Sequence, residues 1–242
     1  MDPLVWLALG VLVVAFLYSS VGHAGASGYI AVMSLLSFAP AEIRMAALVL
    51  NILVATIGTA QFALAGHFSW RLFWPFALLA VPLAFVGGIA PLPDAALKVL
   101  LGIVLLWSAV QLVLRPPADA DGVRAPRGGA LVAGGGIGLL AGLTGTGGGI
   151  FLTPLVRFLR WAPAKTAAAV SAPFILLNSI AGLGGTLATG GTVPGFVVVP
   201  LGAPLVGGLA GSWLGARRLA PRGIKRLLAI VLAIAGAKLL LA

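Results

Sequence analysis

Gly142-Leu-Thr-Gly-Thr-Gly-Gly-Gly-Ile-Phe-Leu-Thr-Pro154 interrupts an otherwise apolar run. Before it lies Ala130 to Ala141, and after it Leu155 to Leu159, apolar apart from Arg157. Glycine loses the most backbone entropy when fixed in a helix, and Pro154 has no amide to donate. Four glycines within five positions, Gly145 and Gly147 to Gly149, are therefore expected to break a helix here. Inside a bilayer, open backbone is tolerated only where protein packs around it or a wet cavity borders it. The second half of a broken helix offers free N–H groups backed by the positive end of its dipole, which suits an anion. Close helix packing is the competing explanation, because small residues let membrane helices approach one another.

The surrounding composition says what kind of chain carries this break. Of 242 residues, 61% are hydrophobic and 8% charged, against about 25% charged in soluble domains. The expected fold is all-α: a polytopic membrane protein of about eight transmembrane helices, each of about 20 residues. The net charge of +10 does not indicate nucleic-acid binding, because the basic residues sit in short segments between apolar runs, where they orient a membrane protein. Cysteine is absent, which excludes disulfides, thiol catalysis and Cys-ligated metals. No carboxylate pair, metal-ligand cluster or phosphate-binding Walker loop occurs at membrane depth, so neither a cofactor, a metal nor an enzymatic activity is expected. Met1-Asp-Pro lacks a basic n-region, and Leu4 onward reads as a retained first helix.

A second, weaker break lies near the start, at Gly22-His-Ala-Gly-Ala-Ser-Gly28. The two breaks belong to a repeat. Gly22-His-Ala-Gly lies over Gly145-Thr-Gly-Gly, and at that offset Ala39-Pro40 lies over Ala162-Pro163. Leu92 to Leu101 lies over Leu219 to Leu228, and at this second offset Asn51 matches Asn178. The chain thus divides into a first transmembrane repeat at 1–114, a polar linker at 115–128 and a second repeat at 129–242. Each repeat is a homologous set of four helices with one glycine-rich broken or re-entrant segment, a pattern of secondary transporters. If each broken segment counts as one crossing, four crossings per half make the halves parallel. Arg44, Lys98, Arg157, Arg160, Lys165 and the basic loop Arg217 to Arg226 then share the cytoplasmic face, ten basic residues in all. The other five, including those of the Arg115 to Arg127 linker, fall outside with both termini.

The candidate substrate-binding residues gather at the breaks: Gly22, His23, Gly25 and Ser27 in the first, and Thr144, Gly145, Thr146, Gly147, Gly148 and Gly149 in the second. Asn51 and Asn178 follow on the next helices. His23 is the one ionisable group at depth. It suits proton relay or anion contact, or else it bonds a carbonyl freed by the break. The asparagines close the substrate site or bond neighbouring helices, and the threonines offer hydroxyls to substrate or to their own backbone. Gly25-Ala-Ser-Gly28 also matches the nucleophile pattern of intramembrane serine proteases, but a histidine on another helix is missing.

Gly145-Thr-Gly-Gly-Gly149 with Pro154, the partner Gly22-His-Ala-Gly25, the Ala-Pro after each and the duplicated helix sets resemble the sulfite exporter TauE/SafE family, over nearly the whole chain. The resemblance implies a multi-pass permease of the bacterial inner membrane. Such permeases move small anions, for example sulfite, sulfoacetate or related organosulfur anions, usually outward. His23, Ala24, Ala26 and Ser27 stand where the family has more glycine, which makes the two halves unequal. The reading is a secondary transporter of a small anion working by alternating access. Its partners are the lipid bilayer and that anion, with a coupling proton or cation and a homodimer left open. The alternatives are a passive anion channel and a non-transporting membrane scaffold subunit.

Overall fold

The computed structural model describes residues 3–90, 92–114, 122–123, 125–217 and 222–241. Its described residues form ten α-helices and no strand. The first half holds α1 (Pro3–Ser19), α2 (Ala26–Leu35), α3 (Pro40–Leu64), α4 (Trp70–Ile89) and α5 (Asp94–Val113). The second holds α6 (Arg127–Thr144), α7 (Gly149–Phe158), α8 (Ala164–Ala188), α9 (Gly202–Arg217), preceded by a 3-10 turn at Gly195–Val198, and α10 (Arg222–Leu241). The chain is a polytopic membrane protein; α3, α4, α5 and α8 are each long and apolar enough to cross a bilayer. Each half has five helices because the glycine-rich segment is two helices, one of them only 10 residues long.

The broken segment does not continue across. Gly10 of α1 packs on Val32 of α2, and Gly28 of α2 packs on Val14 and Tyr18 of α1, so the two helices run antiparallel as a hairpin. A re-entrant pair returns to the face it left. Three further helices then follow in each half, and an odd number inverts the second half relative to the first.

The long central helices show this inversion directly. Leu48 of α3 meets Gly182 of α8, Asn51 meets Ser179, and Gly58 meets Ala172. Position rises along one helix as it falls along the other, so α3 and α8 are antiparallel. Gly102 and Leu105 of α5 meet Leu240 and Gly236 of α10 in the same sense. The parallel relation expected from sequence is therefore overturned, because it rested on counting the hairpin as one crossing.

Inversion also redistributes charge. Among the described residues, nine Lys and Arg lie in the connections at one end of the bundle or in the helix turns that flank them. Arg44, Lys98 and Lys238 lie at the other end. The end of α5 and the start of α6 lie at the same end of the bundle as the end of α9 and the start of α10, not at opposite ends as the parallel count had it. Residues 115–121, 124 and 218–221 lie outside the described residues, but α5, α6, α9 and α10 bound these segments.

Helices of the two halves interleave through glycine stripes. Gly134, Gly138 and Gly142 of α6 face Phe76, Ala80 and Ala84 of α4, running parallel. A Cβ at these three positions would stand 2.3, 2.2 and 2.0 Å from the facing carbonyl oxygens. Gly207, Gly211 and Gly215 of α9 sit likewise on Leu12, Phe16 and Ser20 of α1, with clearances of 2.4, 2.1 and 2.1 Å. Such contacts place backbone on backbone, the close approach that drives helix association where lipid removes the hydrophobic effect.

Candidate functional site

The two breaks meet in the interior. Gly25 and Gly148 are the residues that precede α2 and α7, and both are left-handed, with φ of 103° and 84°. This conformation is open to glycine and strained for side chains with a Cβ. It turns the chain sharply enough to start a second helix against the first. Both short helices end alike: Phe38 N bonds Met33 O and Trp161 N bonds Val156 O, with Ser37 and Arg160 at positive φ. The two short helices thus share the form of their C-terminal caps.

His23 joins the halves. Its Nε2 lies 3.1 Å from the carbonyl oxygen of Gly149. A carbonyl only accepts, so Nε2 carries the proton. Of the two roles open to it in sequence, the structure shows the bond to a backbone carbonyl, and that carbonyl belongs to the first residue of α7, at the other break. Gly22, at φ 79°, packs where a Cβ would stand 2.4 Å from the Cβ of Ala168 on α8. The first break therefore seats directly on α8.

Gly147, Gly148 and Gly149 are buried. No acceptor among the described residues pairs with their amides. These are the orphan donors expected ahead of a helix, here pointing into protein. Around them stand Asn51, Asn178 and Ser179, each 0% exposed. Asn51 Nδ2 is 3.4 Å from Ser179 Oγ, and Asn178 Nδ2 is 3.5 Å from the carbonyl oxygen of Gly147. The Oδ1 atoms of both asparagines are buried with no hydrogen-bond partner. The asparagines are not equivalent by position, however: measured from Pro40 and Ala164, Asn178 lies nearly one turn further along its helix. They converge because α3 and α8 cross antiparallel.

Four other candidates serve the break without facing it. Thr144 Oγ1 donates to Leu140 O at 2.7 Å and shares a 2.9 Å hydrogen bond with Thr146 Oγ1, which fastens the end of α6. Ser27 Oγ donates to Tyr18 Oη at 3.0 Å, across the hairpin. Gly145 admits the backbone of Arg44, whose carbonyl oxygen lies 2.7 Å from where a Cβ would be.

Arg44 is the residue that sequence reading missed. Taken there as an orienting charge in a loop, it is in the first turns of α3 and only 7% exposed. Its Nε donates to Gly142 O at 3.1 Å, and its Nη2 donates to Gly87 O at 2.8 Å and Gly88 O at 3.0 Å. It holds the negative ends of α4 and α6 together beside the second break. Pro40, a favoured first helical residue, and Glu42, which accepts from the Ala39 amide at 3.3 Å, would have moved the helix start ahead of Arg44. Lys238 plays a similar part, donating to Ser34 O, Leu35 O and Ser37 Oγ at the end of α2.

Comparison with known proteins gives a consistent picture. A family model described as sulfite exporter TauE/SafE matches residues 7–239. A protein of Sinorhizobium fredii named "Probable membrane transporter protein y4hK" is 41% identical over 239 residues, 97% of each chain. No solved structure matches the chain.

Proposed function

The chain belongs to the sulfite exporter TauE/SafE family, and from that premise we propose that it is a secondary transporter exporting a small anion across the bacterial inner membrane. Sulfite, sulfoacetate and related organosulfur anions are the substrate class. The observation that carries this reading is the set of unpartnered, buried amides at Gly147 to Gly149, ahead of α7. Oriented N–H groups backed by a helix dipole attract negative charge without a fixed cation, so the anion can be released again.

Alternating access follows from the inverted plan. Two hairpins enter from opposite faces and touch at His23 and Gly149. Rocking one hairpin with its supporting helices breaks that contact and opens the amides to one side. The nine basic residues described at the shared end support reading that end as cytoplasmic, and they raise the local concentration of anions there.

The test is sulfite counterflow in liposomes containing only the purified protein. Saturable exchange of labelled for unlabelled sulfite is expected, and His23→Ala should lower it by about tenfold or more, the scale of one lost hydrogen bond in the moving contact. Flux that never saturates would indicate a channel, and no flux from pure protein would indicate a scaffold.

A further inference from the structure

We infer that the transported anion must also donate a hydrogen bond, and that Asn178 Oδ1 receives it. This rests on the anion reading above. The Nδ2 of Asn178 faces the carbonyl oxygen of Gly147, which cannot donate. The opposite orientation would set the amide oxygen against that carbonyl 3.5 Å away, so Oδ1 is the atom left over, buried and unpartnered. Asn51 does not impose the same demand. Its partner is the hydroxyl of Ser179, which can donate as well as accept. Turning the Asn51 amide gives its oxygen the Ser179 proton and releases its NH2 as a further donor toward the break. The site then presents several donors and one obligatory acceptor.

A bare anion satisfies the donors and leaves Asn178 Oδ1 stranded. A cation would satisfy Oδ1, but it would lie against the positive end of α7 and near Arg44, which bonds Gly142 O at 3.1 Å. A small oxyanion that keeps one proton satisfies both sets at once. Specificity of this kind is strong, because an analogue lacking the hydroxyl leaves a buried group unpaired.

Hydrogen sulfite and methanesulfinate make the comparison. They carry the same charge, and a methyl group replaces the hydroxyl. Binding of each to the purified full chain is measured calorimetrically at one mildly acidic pH. The expected result is hydrogen sulfite tighter than methanesulfinate by about tenfold to a hundredfold, with Asn178→Leu reducing the ratio to near one. Equal affinities in the unmodified protein overturn this inference and leave the anion site standing. A preference that survives Asn178→Leu overturns the assignment to Asn178. Binding of neither anion removes the anion site and this inference with it. The unmodified protein decides the main point even if the variant does not fold.

Discussion

Two glycines on α6 should respond in opposite directions to the same added methyl group. Gly138 is pressed on α4: a Cβ there would lie 2.2 Å from Ala80 O, 2.5 Å from its Cα and 2.6 Å from its carbonyl carbon. Every one of these atoms is backbone, so no rotamer can move aside. The helices must part by about 1 Å to reach ordinary contact distance. Gly134 and Gly142 lie on the same stripe and lose their own contacts as the helices separate. Overpacking in a well-filled interior costs about 1–3 kcal/mol, and weakened Cα–H···O contacts along the stripe add about 0.5–1 kcal/mol each. Gly138→Ala should therefore destabilise by about 3 kcal/mol. Gly136, two residues earlier, has nothing within 4 Å of its added Cβ. There the better helix propensity of alanine acts alone, for a gain of up to about 1 kcal/mol. Reversible unfolding in mixed micelles, with each variant titrated beside the parent, should separate the two midpoints by roughly two to three orders of magnitude in equilibrium constant. Equal stabilities for Gly136→Ala and Gly138→Ala would refute the backbone-on-backbone packing of α4 and α6.

Arg44→Met should cost about 3 kcal/mol or more, since three buried carbonyls lose a charged donor; Arg44→Lys should recover only part, lacking the planar fork. Unfolding of Arg44→Met at the parent midpoint would remove Arg44 as the clasp of α4 and α6. Arg160 is exposed and sits at φ 53°, so Arg160→Gly should raise stability by about 1 kcal/mol; a lowered thermal midpoint would contradict the left-handed cap. Because the chain has no cysteine, topology is open to single-cysteine labelling. Gly122→Cys and Arg217→Cys should both resist an impermeant maleimide in intact cells, whereas Ala90→Cys should react. Reaction at Gly122 with protection at Arg217 would restore the parallel arrangement.

The breaks and the membrane class were legible in the sequence because each is a local property. Hydropathy over about 20 residues, and glycines crowded into five positions, act on the backbone where they stand. Even the caps were within reach, since Pro40 marks a helix start by its missing amide. What followed each break was not local. Whether the chain continues across or folds back depends on Gly28 meeting Val14 and Tyr18, and the glycines that permit the turn permit either outcome. That choice inverted the second half, brought the end of α5 to the same end of the bundle as the end of α9 and set α3 antiparallel to α8. It also made the site. Asn51 and Ser179 are 128 residues apart in the chain, His23 and Gly149 126 apart, and Arg44 and Gly142 98 apart. Sequence reading singled out Asn51, His23 and Gly149, but not Ser179 or the part played by Arg44. Only the crossing of two helices could bring their atoms within hydrogen-bond reach, because such bonds act over about 3 Å and carry no trace along the chain.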